Sequence, residues 1–181
     1  MTNLSLASAR AVPSESGTSL SGVPKPDYYL HSEGVVVSPQ SCTIMTILGS
    51  CVSVCLWDEA TGAGGMNHFL LPHQIGRENR AGRFGSSAIT LLIEKLEAIG
   101  CRRRDLRGKV FGGARIHAAL AADNTDLGRR NVDVATAVLE SEHILIVGQD
   151  VGGDHGRKVL FRTCDGAAWV RQIGDGANGT R

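Results

Sequence analysis

A cysteine and a histidine in the first half of the chain are residue types that together can perform nucleophilic chemistry. Cys51 follows the small-residue turn Gly49-Ser50, and His68 comes after a glycine-rich connection, in the stretch LGSCVSVCLWDEATGAGGMNHFLLP. A cysteine thiol with an ordinary pKa of about 8.5 is mostly protonated at neutral pH, and an adjacent imidazole can accept its proton and activate it. Backbone N–H groups of the turn, with the Ser50 hydroxyl, can act as oxyanion donors. The two residues therefore predict acyl-transfer chemistry, provided that the fold brings them together.

A predicted β-hairpin gives Cys51 and His68 a way to meet. Residues 51–57 alternate as a strand, and after a turn the sequence GMNHFLLP returns as a second strand. If the turn is centred near Glu59 or Ala60, Cys51 and His68 face each other with Cβ atoms about 5 Å apart. A slip of one residue would move His68 to the other face. A third residue usually orients the base, and the nearby candidates are Thr43, Thr46 and Asn67.

The same pattern also suits an ordinary core hairpin. Cysteine is among the most buried residue types and often serves only as a small apolar side chain. His68, between Asn67 and Phe69, can equally be a core histidine whose hydrogen bonds are satisfied. From periodicity alone, the core hairpin is therefore the favoured interpretation.

Composition excludes several other classes of protein. The 181 residues include 19 Lys+Arg and 18 Asp+Glu, and a net charge of +1 gives no reason to expect nucleic acid as the main partner. No apolar run approaches the roughly 20 residues of a membrane span, and the N-terminus lacks the apolar region of a secretory signal. Five scattered cysteines without a C-x-x-C pair argue against disulfides and structural zinc. We therefore expect a cytoplasmic protein with no membrane insertion and no metal site.

The order of elements predicts a single α+β domain. Residues 1–25, rich in Ser, Ala, Gly and Pro, are predicted to be a disordered tail, and residues 26–181 to form the domain. Ser86 or Ser87 is expected to cap a first amphipathic helix, residues 127–141 to form a second, and Phe84 to be an exposed aromatic residue. Two helices among many short strands favour a single-domain α/β sandwich with mostly antiparallel strands.

Several sequence blocks, in order, resemble the CheD family of chemoreceptor glutamine deamidases. The resemblance begins near Tyr28 and runs almost to the C-terminus. It rests on LGSCVSVCLWD, GGMNHFLLP, the GRFG loop, KVFGGA, LGRRN and DVGGDHGRKVLF, followed by a G-x-x-W-V strand. It implies a cytoplasmic enzyme of bacterial chemotaxis, with a sandwich fold related to deamidating toxins. Such an enzyme hydrolyses glutamine side chains on the cytoplasmic helices of methyl-accepting receptors to glutamate and ammonia, without a cofactor.

The resemblance also assigns residues and partners. It places the family's nucleophile on Cys51 and its histidine on His68, and it favours catalysis over the core hairpin. Some members have a histidine-orienting threonine six residues before the cysteine, where this chain has Met45 and then Thr46. Adjacent strand residues face opposite sides, so Thr46 takes that role only if the local alignment shifts; Thr43 or a backbone carbonyl are the alternatives.

Two further interpretations of the function stay open at this point. Within enzymes, a cysteine protease or a transglutaminase-like acyl transferase would share the first half of the reaction. From another class, a chemotaxis adaptor would bind receptors or a CheC-type phosphatase, a partner that the resemblance implies, with little catalysis. Retention of both Cys51 and His68 favours the deamidase.

Overall fold

The fold has three layers: two β-sheets and one layer of helices. The computed structural model describes residues 9–11, 22–74, 80–115 and 126–173. The first sheet has the order β1-β2-β4-β9-β10, with strands Ala9–Ala11, Tyr28–Leu30, Thr43–Leu48, Gly156–Arg162 and Ala168–Ile173 respectively. The second has the order β3-β6-β5-β7-β8, with strands Val35–Ser38, Ala63–Asn67, Val52–Asp58, Arg107–Gly112 and Leu145–Val151 respectively.

The helices α1 (Gly85–Ala98) and α2 (Leu127–Ser141) pack on the outer face of the second sheet. Most strand pairs are antiparallel, and β2–β4 and β7–β8 are parallel. The predicted α+β class, with two helices among short and mostly antiparallel strands, is confirmed. No helix in the described part of the chain is long and apolar enough to cross a membrane.

Alternation along β5 divides the interior into two cores. Val52, Val54 and Leu56 point towards the helices and pack with residues such as Leu92 of α1. Cys55 and Trp57 point the other way, into the space between the sheets, where they join residues including Ile44, Met66 and Phe161. Both faces of β5 are therefore buried, which makes it the central strand that separates the two cores.

Both predicted helices are present, but their N-termini differ from each other. Helix α2 has the predicted bounds, and the Asp126 side chain caps it by accepting a hydrogen bond from the Arg129 N–H (3.1 Å). Helix α1 starts at Gly85, and its N-cap residue, Phe84, makes no side-chain capping bond. The predicted cap at Ser86 or Ser87 is therefore wrong: both residues lie inside the helix, where the Ser87 hydroxyl donates to the Ala81 carbonyl at 2.7 Å, with the Phe84 carbonyl also in reach at 3.2 Å.

Phe84 is buried, and its prediction as an exposed aromatic residue is also wrong. Its side chain is 1% exposed, and its backbone forms a parallel bridge with Leu71. The segment around it packs closely at two glycines, because a Cβ on Gly82 would lie 1.9 Å from the Glu33 carbonyl oxygen and one on Gly85 would lie 2.7 Å from the Phe69 ring. The glycines thus allow close packing around Phe84.

The hairpin between β5 and β6 has a different register from the one predicted. Asp58 pairs with Ala63, and a bridge between Val52 and Phe69 continues the same register beyond β6. The turn is therefore centred one residue later than expected, so Cys51 and His68 are not directly opposite. They lie two positions apart on the diagonal, and because that offset is even they keep the same face.

The segment predicted as an N-terminal tail contains one described strand. Ala9–Ala11 forms β1, which pairs antiparallel with β2 at the edge of the first sheet. Residues 1–8 and 12–21 lie outside the described residues, and the boundary between tail and domain near residue 26 stays a prediction.

Candidate active site

The turn that carries Cys51 lies where the chain passes from the first sheet to the second. Its carbonyls are held from one side, since the Gly113 N–H donates to the Cys51 carbonyl (2.8 Å) and the Ala114 N–H to the Gly49 carbonyl (2.8 Å). This approach requires glycine at position 112, where φ is +109° and a Cβ would lie 2.2 Å from the Cys51 carbonyl oxygen. The FGGA block therefore fixes the backbone of Cys51.

His68 follows β6 directly and points into the space between the sheets. Its N–H donates to the Gly34 carbonyl (3.0 Å), and its own carbonyl accepts from the Glu33 N–H (2.6 Å). The side chain is 5% exposed. Cys51 is half-buried and packs against the same inter-sheet core, so the fold places the thiol and the imidazole on one face of the ladder.

Thr46 contacts the His68 ring from the opposite sheet. Its Oγ1 lies 2.9 Å from His68 Nδ1 and 2.8 Å from the Leu30 carbonyl oxygen. A hydroxyl has one hydrogen and the carbonyl can only accept, so all three groups are satisfied when Thr46 donates to Leu30 and accepts from the Nδ1–H. This arrangement leaves the Nε2 lone pair free to act as a base. Nε2 is buried and has no hydrogen-bond partner among the described residues.

Strand alternation explains why Thr46, rather than Met45, reaches the histidine. In β4, the side chains of Ile44, Thr46 and Leu48 are buried towards the second sheet, whereas Met45 lies on the outer face of the first sheet. Among the described residues, no hydrogen bond joins the other two candidates, Asn67 and Thr43, to the His68 ring. Asn67 Oδ1 accepts from the Val54 N–H (2.8 Å), and no contact joins Thr43 to His68 in the described part of the structure.

Burial keeps both the thiol and the imidazole neutral in the resting site. Burial raises the pKa of Cys51 above its ordinary value, and the N–H groups of Gly49 and Cys51, which hydrogen-bond with the sulfur, lower it by less. Burial also lowers the pKa of His68 to about 4, against a weaker opposite effect of the Leu30 backbone. The site therefore suits transfer of the thiol proton to His68 during attack, rather than a preformed thiolate–imidazolium pair.

The predicted oxyanion donors lie in the same turn as Cys51. Gly49 and Ser50 are both half-buried, and the Gly49 and Cys51 N–H groups, which lower the pKa of the Cys51 thiol, belong to this turn. A carbonyl attacked by the sulfur would bring its oxygen next to these donors. Their role in stabilising an oxyanion stays a prediction.

Asn131 is a site residue that the sequence does not identify. It lies in α2, is fully buried, and its Nδ2 donates to the Ser50 carbonyl (3.0 Å) and to the Leu70 carbonyl (2.9 Å). The LGRRN block contains it, but a single polar residue in an amphipathic helix does not indicate these contacts. Among the described residues, no three His, Cys, Asp or Glu side chains lie together in a way that could hold a metal ion.

A cysteine-dependent acyl transferase or amidohydrolase uses a thiol, a histidine that can accept the thiol proton, and a group that orients the histidine. The arrangement of Cys51, His68 and Thr46 fits this description. A family model described as CheD chemotactic sensory transduction matches residues 70–172. The chain belongs to the CheD family.

Relatives in several bacteria match most of the chain. The protein is 44% identical over 164 residues to the probable chemoreceptor glutamine deamidase CheD 1 of Anaeromyxobacter dehalogenans, covering 91% of this chain and 94% of that one. It is 42% identical to the probable chemoreceptor glutamine deamidase CheD of Trichlorobacter lovleyi, covering 80% and 89%. The protein of the same name from Sulfurimonas denitrificans is 38% identical, covering 80% and 93%. The resemblance inferred from the sequence blocks is thereby confirmed.

Proposed function

We propose that this protein hydrolyses selected glutamine side chains to glutamate on the cytoplasmic helices of chemoreceptors. The observation that carries the proposal is the Thr46–His68 hydrogen bond, which leaves Nε2 unprotonated on the face that also bears Cys51. The names of the relatives, chemoreceptor glutamine deamidases, supply the substrate class.

The reaction follows from these groups in two half-reactions. The Cys51 sulfur attacks the glutamine Cδ while the thiol proton passes to His68 Nε2, and the turn N–H groups receive the developing oxyanion. The C–N bond then breaks as His68 returns the proton to the departing ammonia, which leaves a thioester. A water molecule next loses a proton to Nε2 and attacks the thioester carbon. The C–S bond then breaks as His68 returns that proton to the sulfur, which gives glutamate and restores Cys51 as a thiol.

Mass spectrometry of a cognate receptor fragment tests the proposal. Wild type should raise the fragment's mass by about one dalton per modified glutamine without cutting the chain, and Cys51→Ala should abolish the change. Cys164→Ala is the matched control, since Cys164 is also a half-buried free thiol but lies outside the site. Deamidation that survives Cys51→Ala would refute the assigned nucleophile, and cleavage of the chain would indicate a protease.

A binding experiment addresses the adaptor alternative and the CheC-type partner that we also propose. Binding of purified receptor fragment or CheC-type phosphatase can be measured with Cys51→Ala, which lacks the nucleophile. Tight binding by a wild-type protein that deamidates none of its native receptors would favour an adaptor.

A further inference from the structure

We propose that Asn131 is a positioning residue, which holds the Cys51 turn and the His68 segment at the separation that proton transfer requires. The inference rests on the proposed function and deepens it. Its basis is a single side-chain amide that bonds to both segments at once, through Ser50 on one side and Leu70 on the other.

The two bonded carbonyls belong to residues close to the proposed catalytic pair. Ser50 directly precedes Cys51, and Leu70 lies two residues after His68. Between them, the Val52–Phe69 pair exchanges both backbone hydrogen bonds, at 3.2 and 3.0 Å. Beyond this pair the chains diverge, since the Leu70 N–H donates to the Arg83 carbonyl (3.0 Å) and the Cys51 carbonyl accepts from Gly113. Asn131 therefore bridges the two segments where their own pairing ends.

The orientation of the amide is fixed by its partners. Two carbonyl oxygens can only accept, so the Nδ2 group with its two hydrogens must face them. The other end, Oδ1, is buried and has no hydrogen-bond partner within the described ranges. A buried acceptor without a partner is unfavourable for stability, which is unusual for a residue that serves packing alone.

Helix α2 makes Asn131 a rigid support. The first residues of the helix lie close to Gly113, because a Cβ on Gly128 would lie 2.3 Å from the Gly113 carbonyl oxygen. Gly113 in turn donates to the Cys51 carbonyl. The helix thus contacts the Cys51 turn directly through Asn131 and indirectly through Gly113, and it contacts the His68 segment through Asn131. Loss of the Asn131 amide should therefore change the relative placement of the two reacting groups.

The test measures acylation of Cys51 by p-nitrophenyl acetate, which needs the thiol and its base but no glutamine recognition. The sulfur forms a bond to the acetyl carbon, the thiol proton passes to His68 Nε2, and p-nitrophenolate leaves. Rates are expressed per titratable Cys51, with Cys51→Ala as background. Asn131→Ala should acylate on the order of 10-fold more slowly or worse. Val134→Ala, on the same buried side of α2, should match wild type per active site.

A double-mutant cycle separates positioning from general structural support. If Asn131 acts through the placement of His68, its removal should change the acylation rate of His68→Ala by less than about two-fold. Full additivity, or a wild-type rate for Asn131→Ala, would overturn the inference. If Asn131→Ala does not fold, Asn131→Ser replaces it in the test, because serine keeps one hydrogen-bond donor. This variant should acylate at an intermediate rate, and a wild-type rate would again refute the proposal.

Deamidation kinetics provide an independent readout. Asn131 does not line an open surface, so the variant should lower kcat on the receptor fragment and leave KM within about two-fold. A wild type that acylates in an Asn131-dependent way but deamidates no receptor would refute the proposed function and leave this inference intact.

Discussion

The buried, neutral His68 should make the protein less stable in acid by a predictable amount. Its pKa is about 4 in the folded protein, against 6.5 for an unperturbed histidine. Between these values only the unfolded chain binds the proton, so the free energy of unfolding falls as the pH falls from 6.5 to about 4. One pKa unit corresponds to about 1.4 kcal/mol, and the difference therefore amounts to about 3 kcal/mol. This is a large part of the stability of a typical domain.

Urea denaturation followed by tryptophan fluorescence at pH 7, 6, 5 and 4 measures this loss. The comparison is with His68→Asn, which keeps a neutral N–H donor near Thr46 and does not titrate. Contributions of the other ionisable groups largely cancel in the difference between the two proteins. Wild type should lose about 3 kcal/mol more than the variant between pH 7 and pH 4. Equal losses would show that His68 titrates normally and that the argument for a neutral resting pair is wrong.

Three further predictions concern the groups around the thiol. Thr46→Val leaves the His68 Nδ1–H buried without its acceptor, so it should lower the free energy of unfolding by about 1–3 kcal/mol and reduce kcat. Thr46→Ser should restore both quantities. A fully active Thr46→Val would contradict the orienting role. Because Cys51 and His68 are both neutral in the resting site, iodoacetamide should alkylate Cys51 slowly at pH 7, and at nearly the same rate in His68→Ala. Mass spectrometry measures both rates. A much faster rate in the wild type would indicate a resting thiolate. Gly112→Ala should lower the free energy of unfolding, measured by urea denaturation, by more than Gly152→Ala does. Both positions have positive φ, but only at Gly112 would the added Cβ clash with the Cys51 carbonyl oxygen. Equal effects would show that the backbone of the Cys51 turn can shift to accommodate the Cβ.

Regular periodicity made much of the fold predictable. Helix α2 has the predicted bounds, Leu127–Ser141, because it combines a clear apolar pattern with recognisable ends. The errors came from local competition. The glycines beside Phe84 suggest an exposed loop, but in the fold Phe84 is buried. Ser86 and Ser87 are good capping residues, but the helix already begins at Gly85 and Phe84 occupies the N-cap position.

The sequence named candidate residues for the site but did not define their geometry. Sequence blocks indicated Cys51 and His68, whereas the hairpin register depended on a turn whose centre the sequence leaves open. Whether Thr46 can contact the His68 ring depends on which face of β4 points towards the second sheet, and the packing of the two sheets decides this. Asn131 could not be found, because its partners lie 81 and 61 residues away in the chain and no local pattern encodes such contacts.

The division of the site between two sheets and a helix has a consequence during synthesis. Cys51 and His68 leave the ribosome early, whereas α2 and the strand β9 that pairs with β4 are translated in the last third of the chain. Domains tend to fold as units once their chain is available. A nascent chain therefore carries Cys51 and His68 well before it contains α2 and β9, so under the proposed function it should deamidate only after these later elements have been added.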